Sequence, residues 1–348
     1  MAVEEQAPLA ERETAPPARG ARRAWPVVRG LLIGRPETGA LFGAIAMFVL
    51  FAIVADNFVT RASLVSLASI TAELGIVAMA VTLLMVAGHF DLSVGSVLGF
   101  SSMIVPYLMV NEGLPGWLAL LTALGVAVSV GLLNGGVVIT TRIPSFIVTL
   151  GTLLIWSGVL LVITKGFVVQ VPRDDLVFQI FSYRLQEGPL RGFQVSLFWF
   201  LGVIIILSFV LLRTRFGNWI FASGGNERSA RSMGVPVDRV WLVLFVVTAT
   251  AAFLTGLIQT GRFGVVEATR GQGYELQAIA AAVIGGARLN GGYGSVLGAA
   301  LGASMIAMIQ QGLILSGVAS YWLRVAIGGL IIGAVILNQV LGRSRPQL

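Results

Sequence analysis

The sequence predicts an all-α integral membrane protein of about ten transmembrane helices, some of them short or broken. Only 11% of its 348 residues are charged, 56% are hydrophobic, and the mean hydropathy is +0.90. Soluble domains carry roughly 25% charged residues, so lipid must solvate most of this surface. The charges that remain separate long uncharged runs, and the 43 glycines would let neighbouring helices approach closely.

The first 36 residues precede the first apolar run and are rich in Ala, Pro, Glu and Arg. This composition predicts a disordered, Arg-rich tail over 1–36. It does not predict a secretory signal peptide, because no short apolar core with a cleavage site follows. A membrane domain is then expected over 37–342, with a second short tail over 343–348.

The uncharged runs set the predicted spans, since a helix needs about 20 residues to cross hydrocarbon. Runs 62–72 and 74–88 are too short alone and are joined through Glu73. The run 289–323 is too long for one helix and is divided at a turn over 316–320. The predicted spans are 38–55, 62–88, 92–111, 113–141, 143–164, 192–212, 240–261, 276–287 (short or broken), 293–315 and 325–342.

Arginine placement predicts the orientation, because cytoplasmic loops carry an excess of Lys and Arg. The segment 213–239 holds five arginines against Glu227 and Asp238, whereas the loop 165–191 is mixed in sign. Both termini and 213–239 are therefore expected in the cytoplasm, and 165–191 on the periplasmic side. The expected cytoplasmic segments are 1–37, 89–91, 142, 213–239, 288 and 343–348.

A short repeat hints at an internal duplication. "GSVLG" occurs at 95–99 and again at 294–298, each copy preceded by a similar pattern of small, charged and Asp or Asn residues. Five shared residues are equally compatible with chance. A true repeat would be parallel and would place a pathway between the two halves.

No catalytic constellation is present. The sequence lacks a phosphate-binding loop, a Ser-His-Asp order and paired carboxylates with acid-base spacing. Zero Cys and one His argue against a zinc site, and no metal or other cofactor is expected. The net charge of +7 is scattered between apolar runs, so it indicates membrane topology and not a nucleic-acid partner.

Three stretches hold the polar residues of interest. Glu73 interrupts an apolar span; it either lines the outer end of a cavity or pairs with a neighbouring helix. In "GHFDLSVGS", a tight inner-side turn is expected, in which Asp91 caps the next helix. The turn residues are Gly88, Asp91, Ser93 and Gly95. The alternatives are direct contact of this segment with a solute or partner and, less favoured, a pH-sensing His89.

The third stretch is a short surface helix within 224–234. Asn226 can cap it, Glu227 suits the first turn, and Gly234 can end it. Arg228 and Arg231 lie three residues apart and share a face. The helix is either a solvated connector or a docking element for a cytoplasmic partner.

Four motifs now identify a resemblance over about residues 40–340. They are "GHFDLSVGSVLG" (88–99), "GLLNGGVVITTRIPSFIVTLGT" (131–152), "ASGGNERSARSMGV" (222–235) and "AIAAAVIGGARLNGGYGSVLGA" (278–299). In this order they resemble the permease subunit of sugar-type ABC importers, which serve ribose, xylose, arabinose and galactose uptake. The sister family of branched-chain amino acid permeases is less similar at Asp-Leu-Ser-Val-Gly. The sugar family commonly has Gly-Gly-Ile where this chain has Gly88, His89 and Phe90.

The resemblance implies a bacterial inner-membrane subunit that is not itself an enzyme. It implies a second permease copy in a homo- or heterodimer, one or two cytoplasmic ATPase subunits, and a periplasmic binding protein that delivers a monosaccharide or sugar-like solute. It also implies that 224–234 is the coupling helix to the ATPase. The coupling residues expected are Asn226, Glu227, Arg228, Ala230, Arg231 and Gly234.

A sugar pathway requires neutral donors and acceptors within the membrane. The candidates are Glu73, Asn134, Thr152, Gln259, Gln310 and Gln311. Each can instead hydrogen-bond a neighbouring helix, at about 1 kcal/mol per contact. Two rival functions are an ion-coupled secondary transporter, which would need more intramembrane acids, and a membrane scaffold that does not transport.

Overall fold

A computed structural model describes residues 36–319, 321, 322, 324–329, 332 and 333. It is almost entirely helical, which confirms the predicted all-α fold. The helices are α1 Pro36–Val54, α2 Arg61–Val86, α3 Val94–Asn111, α4 Gly116–Thr141, α5 Ser145–Thr164, α6 Leu176–Ser182, α7 Ser196–Arg213, α8 Arg215–Gly225, α9 Glu227–Ser232, α10 Val237–Phe263, α11 Tyr274–Ile284 and α12 Val296–Leu315; the strands are β1 Val169–Gln170 and β2 Val265–Val266.

Eight helices of the described residues are long and apolar enough to cross a membrane. They are α1, α2, α3, α4, α5, α7, α10 and α12. Helix α11 is apolar but only 11 residues long, in line with the short or broken crossing predicted over 276–287. The last predicted span, 325–342, and the two predicted tails lie mostly outside the described residues.

Helix α2 is the centre of the bundle. Every residue from Ala72 to Val86 is buried, as expected of a helix that is apolar on all sides. It packs against α7, α10, α11 and α12. The predicted joining of two short runs through Glu73 is therefore correct, and Glu73 lies near the middle of one continuous helix.

Polar residues precede two of the helices in this centre, α2 and α12. Thr60 precedes α2 and accepts a hydrogen bond from the backbone N–H of Ser63. Ser295 precedes α12 and accepts one from Gly298 N–H. Each hydroxyl satisfies a first-turn donor that has no partner within its own helix.

Contacts between connecting segments show that alternate helix ends lie on the same side of the bundle. Arg142, after α4, pairs with Asp238 at the start of α10 at 3.3 Å. The side chain of Ser295 donates to Glu37 at 2.6 Å, and Gly292 N–H donates to the carbonyl of Val86 at 2.8 Å. We name this side, which also carries α8 and α9, the α9 side.

The other helix ends meet on the opposite side. There Arg61 donates to the carbonyl of Arg191 at 2.8 Å, and Arg173 donates to the carbonyl of Arg262 at 3.2 Å. Strands β1 and β2 form an antiparallel ribbon in the same region. Of the segments predicted to be cytoplasmic, Glu37, Arg142, 213–239 and Arg288 lie on the α9 side, whereas 89–91 enters the bundle from that side. The loop 165–191 lies opposite.

Three elements were absent from the sequence prediction. The ribbon and the short helix α6 occupy the connections around 169–182 and 265–266. Helix α8 lies within 213–239, where only the shorter α9 was expected. Its apolar residues at helical spacing, Phe216, Trp219 and Ile220, were the available signal.

Candidate functional site

The segment after α2 does not form the tight inner-side turn that was predicted. Gly88 ends α2 with φ of 90°, and His89 N–H donates to the carbonyl of Leu84 at 3.1 Å, a common helix ending. The chain then extends into the bundle before α3 begins at Val94. The His89 ring packs edge-on against Trp241, with centroids 4.2 Å apart.

Asp91 shows how deep this segment reaches. Its Oδ2 accepts a hydrogen bond from the Thr248 hydroxyl at 2.6 Å. Thr248 lies 11 residues beyond the start of α10 at Val237, about 16 Å along the axis at 1.5 Å per residue. Helix α3 therefore starts well inside the bundle, and its preceding segment re-enters from the α9 side.

Asp91 accepts a backbone N–H as predicted, but it also accepts side-chain donors and does not occupy the cap position. Its Oδ1 accepts from the Ser93 N–H at 2.9 Å and from the Ser93 hydroxyl at 2.6 Å. The residue before the helix is Ser93, whose side chain makes no capping bond. Asp91 thus orders the segment before α3, while its other oxygen fixes that segment to α10.

Helices α4 and α5 complete the polar cluster around this segment. The Asn134 side-chain amide donates to the Ser93 hydroxyl at 2.8 Å. The Leu92 N–H donates to the Thr149 hydroxyl at 3.1 Å, and the Phe90 N–H donates to the Ser145 hydroxyl at 3.0 Å. These partners satisfy backbone groups that re-entry would otherwise leave buried without a bond.

A second re-entrant segment, 264–273, meets the start of α3 from the opposite side. A Cβ atom added at Gly95 would lie 2.5 Å from the Gly271 carbonyl oxygen, and one at Gly99 would overlap that of Arg270. Because these two glycines of the first "GSVLG" have no side chain, the backbone of 270–271 packs directly against α3. Gly95 lies in the first turn of α3, not in the predicted turn before it.

The first turns of α3 and α11 consequently face each other inside the bundle. Glu275, in the first turn of α11, is partly buried and contacts Gly95. Its Oε1 accepts from the Gly273 N–H at 3.2 Å. Its Oε2 is buried without a hydrogen-bond partner among the described residues.

Glu73 forms an ion pair between helices. The distance from Arg262 Nε to Glu73 Oε1 is 2.8 Å, and Arg262 Nη2 donates to Oε2 at 2.9 Å. The Glu73 side chain is only 2% exposed and that of Arg262 is 19% exposed. Gln259, about one turn before Arg262 on α10, lies beside Glu73 and Tyr274. Of the two interpretations left open for Glu73, the pairing with a neighbouring helix is the one present here.

The other predicted pathway residues do not join this cluster. Thr152 is buried and donates to the carbonyl of Thr149 within its own helix at 3.2 Å. Gln311 accepts from the Ser66 hydroxyl at 3.1 Å and so links α12 to α2, while its neighbour Gln310 is half-buried. The structure brings Glu73 and Gln259 together and leaves the other four candidates apart.

Helix α9 forms on the surface with the predicted cap. Asn226 Oδ1 accepts from the Ser229 N–H at 3.0 Å, and Gly234 follows the helix with φ of 80°. Ala230 is buried beneath it. Arg231 turns inward, where it donates to both Asp238 oxygens at 3.0 and 2.6 Å.

Arg228 and Arg231 therefore do not play equivalent parts. Arg231 also donates to Glu227 at 3.0 Å, and its guanidinium lies 5.6 Å from the Trp241 ring. Arg228 is exposed, and its side chain makes no hydrogen bond or ion pair with other described residues. Met233, which the sequence analysis missed, is 84% exposed at the end of the helix.

Burial and pairing set the protonation states on the α9 side. Burial lowers the pKa of His89 to about 4, with Glu227 opposing that shift. Hydrogen bonding to Asp238 raises the pKa of Arg231 further above its ordinary value. His89 is thus neutral and Arg231 is charged at physiological pH.

Comparisons with known proteins identify the family to which this sequence is similar. A family model described as the branched-chain amino acid transport system permease component matches residues 63–337. The autoinducer 2 import system permease protein LsrC of Photorhabdus laumondii is 30% identical over 316 residues, which is 90% of this chain and 92% of that protein. The ribose import permease protein RbsC of Escherichia coli K12 is 32% identical over 298 residues, or 84% and 92%.

An archaeal protein is similar to the same degree. The xylose/arabinose import permease protein XylH of Sulfolobus acidocaldarius is 32% identical over 284 residues, which is 80% of this chain and 77% of that protein. The three relatives thus cover most of the chain, and all three are named as import permeases.

Proposed function

The chain belongs to the ABC-importer permease family whose model spans residues 63–337, and from this membership we propose that it carries a monosaccharide or sugar-like solute across the membrane. It is a multi-pass protein of the inner membrane. The observation that carries the proposal is the identity of 30 to 32% with three import permeases over at least 80% of the chain.

The relatives favour a sugar-like solute over the alternatives raised by the sequence. Their names specify ribose, xylose and arabinose, and autoinducer 2, whereas none of the three names an amino acid. Against ion-coupled transport, two of the acids inside the bundle are already engaged: Glu73 is paired with Arg262, and both oxygens of Asp91 accept hydrogen bonds. A paired carboxylate is poorly suited to bind and release a coupling ion.

Energy would enter from a separate ATPase that docks at α9. Arg228 and Met233 project from this helix, so a partner could pair with the charge and bury the methionine. Arg231 instead holds α9 onto the first turn of α10 through Asp238. ATP hydrolysis belongs to that partner, a periplasmic binding protein delivers the solute, and a second permease copy completes the membrane part.

Among the proposed pathway residues, Glu73 and Gln259 are the two that the structure brings together, with Glu73 already paired with Arg262 and only 2% exposed. They lie together in the bundle with Arg262, and an amide beside an ion pair offers both donors and acceptors to sugar hydroxyls. Asn134, Thr152 and Gln311 are each engaged by neighbouring groups. Any contact they make with solute would be secondary to those bonds.

Reconstitution tests the proposal directly. The chain is placed in liposomes with its cognate ATPase, ATP inside the vesicles, and its binding protein outside. Accumulation of radiolabelled ribose, xylose or arabinose that requires all three proteins would support the proposal. Accumulation by the chain alone, driven by an ion gradient, would refute it.

The docking role is tested by separating the two arginines. Arg228→Glu should weaken ATPase co-purification while the permease remains folded, because the side chain has no other described partner. Arg231→Glu should instead lower thermal stability, because it places a third acid beside Glu227 and Asp238. Equal effects of both changes on ATPase binding and on stability would contradict this division.

A further inference from the structure

Three backbone segments meet at a single point beneath α8 and α9. They are the end of α2 at Val86–Gly88, the end of α8 at Gly224–Gly225, and the loop at Gly291–Gly292. Gly292 N–H donates to the Val86 carbonyl at 2.8 Å. A Cβ atom added at Gly224 would overlap that same carbonyl oxygen and lie 2.8 Å from the Gly292 nitrogen. We name this contact the glycine junction.

The junction is held by backbone and not by flexible side chains. A Cβ atom at Gly291 would lie 2.8 Å from the Gly224 carbonyl oxygen and 3.0 Å from the Gly88 Cα. Backbone atoms at van der Waals distance cannot give way as a long side chain can. A push on α8 must therefore move the end of α2 and the 291–292 loop together.

Two of the three segments adjoin the helices that start inside the bundle, α3 and α11. Val86–Gly88 continues into the re-entrant segment that places Asp91 and the start of α3. The 291–292 loop joins α11 to α12, and both the α2 and α11 ends close with the same turn. In that turn Gly88 and Gly286 have φ of 90° and 93°, and the next N–H donates to the carbonyl five residues back.

From this geometry we infer that the glycine junction transmits movement of α8 and α9 to the starts of α3 and α12, with Gly224 as its positioning residue. The inference rests on the proposed function, because it assumes that an ATPase moves α9. Gly224 touches no solute. Its part is to let α8 press directly on the backbone of α2.

Two adjacent glycines provide a matched test. Gly224→Ala forces a methyl group into the Val86 carbonyl, whereas a Cβ atom at Gly225 meets nothing within 4 Å. In the reconstituted system, Gly224→Ala should retain ATPase binding and ATP hydrolysis but lose solute accumulation. Gly225→Ala should resemble wild type in all three measurements. Equal accumulation by both variants, with wild type active, would overturn the inference.

A second measurement decides the case in which Gly224→Ala fails to assemble. The chain has no cysteine, so spin labels can be attached to Ser232→Cys and Asn290→Cys, both exposed. The distance between them should stay constant between nucleotide-free and ATP-bound complexes, while that from Ser232→Cys to Glu112→Cys on the opposite side changes. A change in the first distance, or no change in either, would overturn the inference. Inactive wild type would instead refute the proposed function.

Discussion

At the scale of single residues, the Asp91 cluster shows how a re-entrant segment is held. The carboxylate is fully buried, yet both oxygens have donors, from Ser93 and from Thr248. A buried polar group without a partner destabilises a fold by about 1–3 kcal/mol. The Thr248 hydroxyl therefore contributes to stability, because it supplies the donor to Asp91 Oδ2.

Thr248→Val removes that donor without changing the shape of the side chain. We expect a loss of about 1–3 kcal/mol in stability, since Asp91 Oδ2 would lack a partner. Thr250→Val is the matched control, because the Thr250 hydroxyl bonds only to the Val246 carbonyl of its own helix. Thermal unfolding of detergent-solubilised protein, followed by size-exclusion chromatography, measures both. Similar melting temperatures for the two variants would contradict this role.

His89 gives a pH dependence of defined sign. Its pKa is about 4 in the folded protein, against 6.5 for the free group. Between these values the unfolded chain binds a proton that the folded chain does not. The stability that neutral His89 contributes is thus complete above pH 6.5 and is lost as the pH falls toward 4.

A titration-free variant isolates this effect from other acid-sensitive groups. His89→Phe keeps an aromatic ring against Trp241 and cannot be protonated. Its melting temperature should fall less than that of wild type when the pH is lowered through this range. Parallel melting curves would show that His89 does not titrate as described.

At the scale of elements, the Glu73–Arg262 pair connects α2 to α10. Arg262→Met would leave the Glu73 carboxylate, which is 2% exposed, buried without its cation. Breaking such a pair destabilises by about 3–5 kcal/mol. Glu73→Leu should be milder, because Arg262 is 19% exposed and can reach water.

The double variant Glu73→Leu/Arg262→Met separates structure from transport. Removing both charges should restore melting to near that of wild type. If the pair is only structural, uptake returns as well. If Glu73 also contacts solute, the double variant is stable and inactive. Failure to recover stability would show that the pair is not the source of the effect.

The sequence predicted those elements that depend on local composition. The joined α2, the short α11 and the Asn226 cap follow from run length, charge and spacing. The depth at which α3 starts in the bundle could not be predicted. Hydropathy shows that a segment is apolar, but not how deep in the bundle it begins. That depth depends on Thr248, which is distant in sequence. Likewise, the glycines of "GSVLG" indicated that another chain segment packs closely against α3. The sequence did not show that this segment is 264–273.

At the scale of the whole molecule, the bundle has two chemically different sides. The connection 213–239 on the α9 side carries five arginines against Glu227 and Asp238, whereas 165–191 on the opposite side carries four cations against three acids. Cytoplasmic connections carry such an excess of arginine. Together with the proposed ATPase partner, which requires ATP, this predicts that the α9 side faces the cytoplasm.

Single cysteines test this orientation without background, since the chain has none. Glu187→Cys lies in the connection on the opposite side, and Arg228→Cys lies on α9; both positions are exposed. A membrane-impermeant maleimide applied to spheroplasts should label Glu187→Cys at once and Arg228→Cys only after permeabilisation. The unmodified chain, which should stay unlabelled, is the control. The reverse pattern would place α9 in the periplasm, where no ATP is available, and would exclude both ATPase docking and transmission through the glycine junction.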